Sequence, residues 1–226
     1  MGGNMGQKFK AMFEVRRDSI LLSYGIFLIA MVFGIILCFF TMDGKDFDSI
    51  RYAAVIGGAS IYFSISLFFK IVYYSMEVQR AVLFGMTRRD TFIFEKIIDF
   101  IEIATLAVVC AVLLPGGKYL LVFKLAVLTF AFFSWLEAIC GNLVIKFGKT
   151  GYWVCYIGIF VVFLGLPKLI QFVPAVRNVL GKIAEGMVFS NQSQGAYWGA
   201  MAGMIALALI VHWILFRKIS VSSLAE

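Results

Sequence analysis

Between Ile20 and Met42 the chain runs for 23 residues without a charged side chain. As a helix rising 1.5 Å per residue this stretch is about 35 Å long, enough to cross the roughly 30 Å hydrocarbon core of a bilayer. A helix on the surface of a soluble domain keeps a charged face toward water, and this run has none. The rest of the chain agrees. Of 226 residues, 62% are apolar and 15% charged, against about 45–50% and about 25% in soluble domains. So few charges do not coat a water-facing surface. The sequence therefore predicts an all-α polytopic membrane protein and excludes a disordered chain, a disulfide scaffold and a typical soluble enzyme.

Counting apolar runs predicts six spans, over 20–42, 53–74, 97–114, 119–145, 151–166 and 197–216. The third carries Asp99 and Glu102 near its start, the fourth contains Lys124 and Glu137, and the fifth stops before Pro167. An even number of spans puts both termini on one side. Twelve Lys and Arg residues fall on that side and six on the other, with Lys70 and Lys124 inside spans. This bias places both termini in the cytoplasm and the protein in the plasma membrane. The net charge of +7 is then an orientation signal rather than a nucleic-acid footprint. The first run is too long for a signal-peptide core and no small-residue cleavage motif follows it, so no secretory signal is expected.

Three segments between the spans have their own pattern. Over 4–18, Met5, Phe9, Met12 and Phe13 recur at helical spacing beside Lys8, Lys10, Arg16 and Arg17, which predicts an amphipathic helix in the cytoplasmic interface. Over 76–96, Gly85 is placed to end one helix, and Thr87 with Asp90 forms a variant capping box that opens the next. The expected product is a compact helix–turn–helix elbow with Arg88 and Arg89 at its tip; read singly, those arginines are only topogenic charges. Over 167–196, Pro174 suits a helix start, and Val176, Val179, Leu180 and Ile183 share one face. This reads as a re-entrant or interface-lying outer segment, or as an amphipathic helix packed on the spans.

Soluble chemistry finds little support. Cys38, Cys110, Cys140 and Cys155 sit in apolar runs without a paired spacing, which suits buried reduced thiols rather than a metal. One histidine, His212, is too few for a zinc site or a catalytic triad. Gly148-Lys149-Thr150 imitates a phosphate loop, but the Walker glycine five positions earlier is Leu143. No catalytic, cofactor or metal residues are therefore assigned. The intramembrane carboxylates remain: Glu95, Asp99 and Glu102 share a helix face at i, i+4 and i+7. Asp99 and Glu102 either line a polar vestibule or proton relay, or pair with Lys70, Arg88, Arg89 or Lys96 to brace the elbow. Glu137 lies deeper, as a candidate polar group on an internal path. Gly195, Gly199 and Gly203, spaced by four, offer a smooth face for helix packing, within the chain or between copies.

Six spans, a leading amphipathic helix, an elbow after span two and a structured outer segment before span six resemble the membrane (permease) subunit of a bacterial ABC type-2 exporter. The run Phe84-Gly85-Met86-Thr87-Arg88-Arg89-Asp90 resembles the G-x-[ST]-R-R stretch of small permeases in that family. The resemblance implies that the elbow, with Gly85, Met86, Thr87, Arg88, Arg89 and Asp90 at its tip, docks on a separate ABC ATPase subunit. It implies a second permease chain, identical or not, in the working unit, with ATP and Mg bound by the partner ATPase and none by this chain. Apolar, Phe- and Met-rich walls suit an amphipathic peptide, a hydrophobic drug or a lipid as cargo. The alternative is the substrate-binding membrane subunit of a vitamin or micronutrient importer, which expects a small-residue docking surface instead of a basic elbow.

Overall fold

In a computed structural model, the protein is described for residues 5–41, 46–114, 116, 118–175, 177–178, 181–182, 185 and 194–219. Its elements are α1 (Met5–Thr41), α2 (Phe47–Leu83), α3 (Arg88–Leu113), α4 (Tyr119–Leu136), a π turn (Glu137–Gly141), α5 (Asn142–Phe147), α6 (Lys149–Phe172) and α7 (Gln194–Phe216). Among the described residues five helices are long and apolar enough to cross a membrane: α1, α2, the Tyr119–Phe147 stretch, α6 and Tyr197–Phe216. The remaining long helix, α3, has 26 residues, but Lys96, Asp99 and Glu102 lower its hydropathy. The architecture is that of an all-helical chain compatible with a multi-pass membrane protein.

The chain forms two compact bodies, one up to Phe130 and one from Ala131 onward. In the first, α1 and α2 are antiparallel helices of 37 residues each, about 55 Å long. They touch closely where glycines remove the side chain: a Cβ on Gly57 would stand 2.9 Å from Gly34 Cα, and one on Gly34 would collide with the Ala53 carbonyl. At the other end of the pair, Met12, Ala81, Met86, Phe94 and Ile98 form a buried cluster, with Phe9 packed on Phe94 at 5.7 Å between ring centroids.

The interfacial stretch 4–18 and the span 20–42 are separate elements in the sequence reading; in the structure one uninterrupted helix covers both from Met5. Nothing between Asp18 and Ile20 breaks a helix, since Ser19 donates to the Arg16 carbonyl at 2.9 Å and stays in register. The face of this first part is buried at Met12, Val15 and Arg16.

In the second body, α4 passes through the π turn into α5, and Gly148 at φ +57 reverses the chain into α6. Gly151 lies against the backbone of Leu143 and Val144, so α5 and α6 meet without side chains between them. Asn142, the first residue of α5, donates to the Ala138 carbonyl of the π turn at 2.9 Å. Helix α6 runs through Pro167 to Phe172 rather than ending at Leu166. Proline costs one backbone hydrogen bond but its φ is helical, and lipid-embedded helices tolerate that loss. Leu169–Phe172 thus form the last turn of α6. Residues 174–175, 177–178, 181–182 and 185 are helical; positions 176, 179–180, 183–184 and 186–193 of the expected outer segment lie outside the described residues. His212 is fully buried, edge-on to Phe216 at 6.2 Å between ring centroids.

Candidate functional site

The elbow between α2 and α3 is built from four linked local devices. Gly85 adopts φ +75, the left-handed conformation that ends a helix. Its amide donates to the Val82 carbonyl at 2.9 Å and that of Met86 to the Ala81 carbonyl at 3.1 Å, the paired bonds of a Schellman stop. Met86 and Ala81 are both buried in the same apolar cluster, the contact that accompanies this motif. Thr87 then caps α3, accepting from the Asp90 amide at 3.2 Å. Finally, Lys8 of α1 bonds the Asp90 carboxylate at 2.7 Å. That hydrogen bond, with a further one from Thr87, holds the Asp90 carboxyl below the usual carboxylate range. Thr87→Ala is expected to cost about 1 kcal/mol and to speed hydrogen exchange at the first-turn amides of α3; unchanged exchange there would show that the cap is dispensable.

The tip presents a mixed surface. Leu83 and Phe84 are exposed at 86% and 72%, and Arg80 and Arg89 are also exposed, with Arg88 half-buried. A groove of about 460 Å³, lined by Ala11, Glu14, Val15, Arg80, Leu83 and Phe84, opens beside it between α1 and α2.

Behind the elbow, α1, α2 and α3 share a buried ionic network. Arg16 reaches Glu77 at 3.1 Å, Asp99 at 2.9 Å and Glu102 at 3.6 Å, and donates to the Glu95 carbonyl at 3.1 Å. Lys70 sits 2.6 Å from Asp99 and 3.5 Å from Glu102, while Lys96 is 3.2 Å from Asp99 and 3.8 Å from Glu95. Tyr62 donates to Glu102 at 2.9 Å. Each of these side chains is buried. Their spacing explains the geometry: Tyr62, Lys70 and Glu77 lie eight and seven residues apart on α2, and Glu95, Asp99 and Glu102 four and three apart on α3. Each set makes one stripe of its helix.

Three cations therefore face four carboxylates away from water. Separating such charges without water to receive them is costly, and breaking one buried pair costs about 3–5 kcal/mol. The network ties the elbow's two limbs and α1 into one unit.

Of the residues singled out from sequence, the structure brings together the elbow set Gly85–Asp90 and, behind it, Asp99 and Glu102. The carboxylates pair with Lys70 and Lys96, as one of the two sequence alternatives has it. Glu137, in the second body, is buried as the first residue of the π turn, a helix irregularity common at functional sites. At Gly195, Gly199 and Gly203 a Cβ would meet nothing within 4 Å among the described residues. Sequence reasoning missed Arg16 as a network member, taking it as an orientation charge and as a flank of the leading helix, and passed over Glu77 and Tyr62. The available signals were Glu77 falling seven residues after Lys70, and Arg16 following buried Met12 by four.

Comparisons with protein-family models, with curated proteins and with solved structures give no match.

Proposed function

We propose that this chain is the membrane subunit of an ATP-driven exporter of the ABC type-2 kind, levered from its cytoplasmic elbow by a separate ATPase subunit. One observation carries the reading: a capped, rigid elbow whose tip exposes Leu83 and Phe84 beside Arg80 and Arg89 stands directly on a buried ionic clamp joining α1, α2 and α3. Exposed apolar side chains ringed by cations fit a soluble partner with an apolar socket and an acidic rim. The clamp supplies what coupling needs, since a stiff lever transmits displacement that a loose loop would absorb. In this reading both termini are cytoplasmic, a second permease chain completes the path, ATP and Mg belong to the partner, and the cargo is an amphipathic peptide, a hydrophobic drug or a lipid.

The test is copurification from native membranes followed by charge reversal at the tip. The tagged chain should bring down a nucleotide-binding subunit. Arg88→Glu with Arg89→Glu should lower the unfolding midpoint by no more than a few degrees, a surface-sized effect, while weakening the partner roughly tenfold or more. Recovery of no nucleotide-binding protein sinks the exporter reading; retained coupling in the double variant removes the elbow from it.

A further inference from the structure

At the end of the first body away from the elbow, a cleft of about 400 Å³ opens between α2, α3 and α4. This is within the range of ligand-sized pockets, about 300–1,000 Å³. Its three walls are the stretches Tyr52–Phe63, Ile103–Leu114 and Lys118–Thr129. Each is about 16 Å long at the helical rise, about half the hydrocarbon thickness of a bilayer. The cleft is thus one leaflet deep, and its sides are apolar, with Val55, Ile56, Leu106, Val122 and Leu125 among them.

The polar groups at its two ends differ in kind. At the floor, the Tyr62 hydroxyl is committed to Glu102 at 2.9 Å and the Thr129 hydroxyl to the Leu125 carbonyl at 2.8 Å. At the mouth, Arg51 is committed too: it donates to the Leu113 and Val112 carbonyls at 2.6 and 3.2 Å, closing the end of α3, and lies 3.6 Å from Asp48. Lys118 is different. It is exposed, stands 5.1 Å over the ring of Tyr52, and makes no ion pair among the described residues. The cleft therefore offers an apolar slot of single-leaflet depth with one available ammonium at its rim.

We infer that this cleft holds one acyl chain of an anionic glycerophospholipid, with the chain along the Tyr52–Phe63 wall and the headgroup on Lys118. Charge complementarity selects the headgroup, and the depth selects a lipid tail over a folded peptide. The inference needs only a bilayer around the chain and is independent of the ATPase partner, so either proposal can fail without the other.

The full-length protein, delipidated in detergent, would be given phosphatidylglycerol or phosphatidylcholine of identical chains, with retained lipid counted by native mass spectrometry. Wild type should hold one phosphatidylglycerol per chain, about fivefold more tightly than phosphatidylcholine. Lys118→Gln should bind the two equally. Ala59→Trp should retain neither, because Ala59 lines the cleft and is exposed there, so the indole fills the slot without disturbing the core. Equal retention of the two lipids by wild type, or no retained lipid at all, overturns the proposal. So does a headgroup preference that survives in Lys118→Gln. That variant changes only an exposed side chain and decides the question even where the tryptophan variant fails to fold.

Discussion

Arg16→Leu should be among the most destabilising single substitutions in this protein, at about 3–5 kcal/mol. Arg16 is the one residue of α1 in the ionic network, touching Glu77, Asp99 and Glu102. Its loss leaves four buried carboxylates facing Lys70 and Lys96 alone. The formal charge of the group falls from −1 to −2, and the ion pairs from α1 to Glu77, Asp99 and Glu102 are lost. Charge balance predicts a rescue. Arg16→Leu combined with Glu77→Leu returns the group to −1, so the double variant should recover a good part of the loss. Unfolding of the single and double variants in micelles forms a double-mutant cycle. If the two losses simply add, Arg16 and Glu77 are not coupled, and the clamp between α1 and α2 is overturned.

The second large effect lies at the far end of the same helix pair. Gly57→Leu places a side chain where its first carbon would stand 2.9 Å from Gly34 Cα. The obstacle is backbone, which no rotamer change moves aside, so the cost should reach the upper part of the 1–3 kcal/mol range typical of overpacking, about 3 kcal/mol. Gly199→Leu is the control: with nothing within 4 Å of a Cβ there, the stability of the single chain should change by less than about 0.5 kcal/mol. Equal losses for the two would mean that α1 and α2 do not depend on their glycine contact. Together the two experiments map two clasps, separated by the 18 residues from Arg16 to Gly34, or about 27 Å of helix.

The elbow shows how far a local pattern reads. A left-handed glycine, a capping threonine and the first-turn aspartate three residues after it act within one or two turns, so the stop after Leu83 and the start at Arg88 are visible in the residues themselves. The carboxylate stripe Glu95, Asp99 and Glu102 is visible for the same reason, since it lies on one helix. Their cations are less so. Lys96 is a sequence neighbour, Lys70 lies on the preceding helix, and Arg16 is 83 residues from Asp99. A basic residue before an apolar run looks the same whether it faces headgroups or turns inward to a carboxylate. The stretches 4–18 and 20–42 join into one helix on the same ground: a charge ends an apolar stretch but does not end a helix. At Pro167 a breaker strong in water is carried through because the surrounding helix is apolar.

The sequence by itself determined that this chain is made of long apolar helices, and where its elbow turns, because hydropathy, capping and glycine conformation are properties of neighbouring residues. Only the tertiary structure decided which charges meet and where helices touch without side chains. It also decided that one cleft keeps a cation at its rim. Each of these depends on the register between helices, and register is set by packing over tens of residues rather than by any one of them.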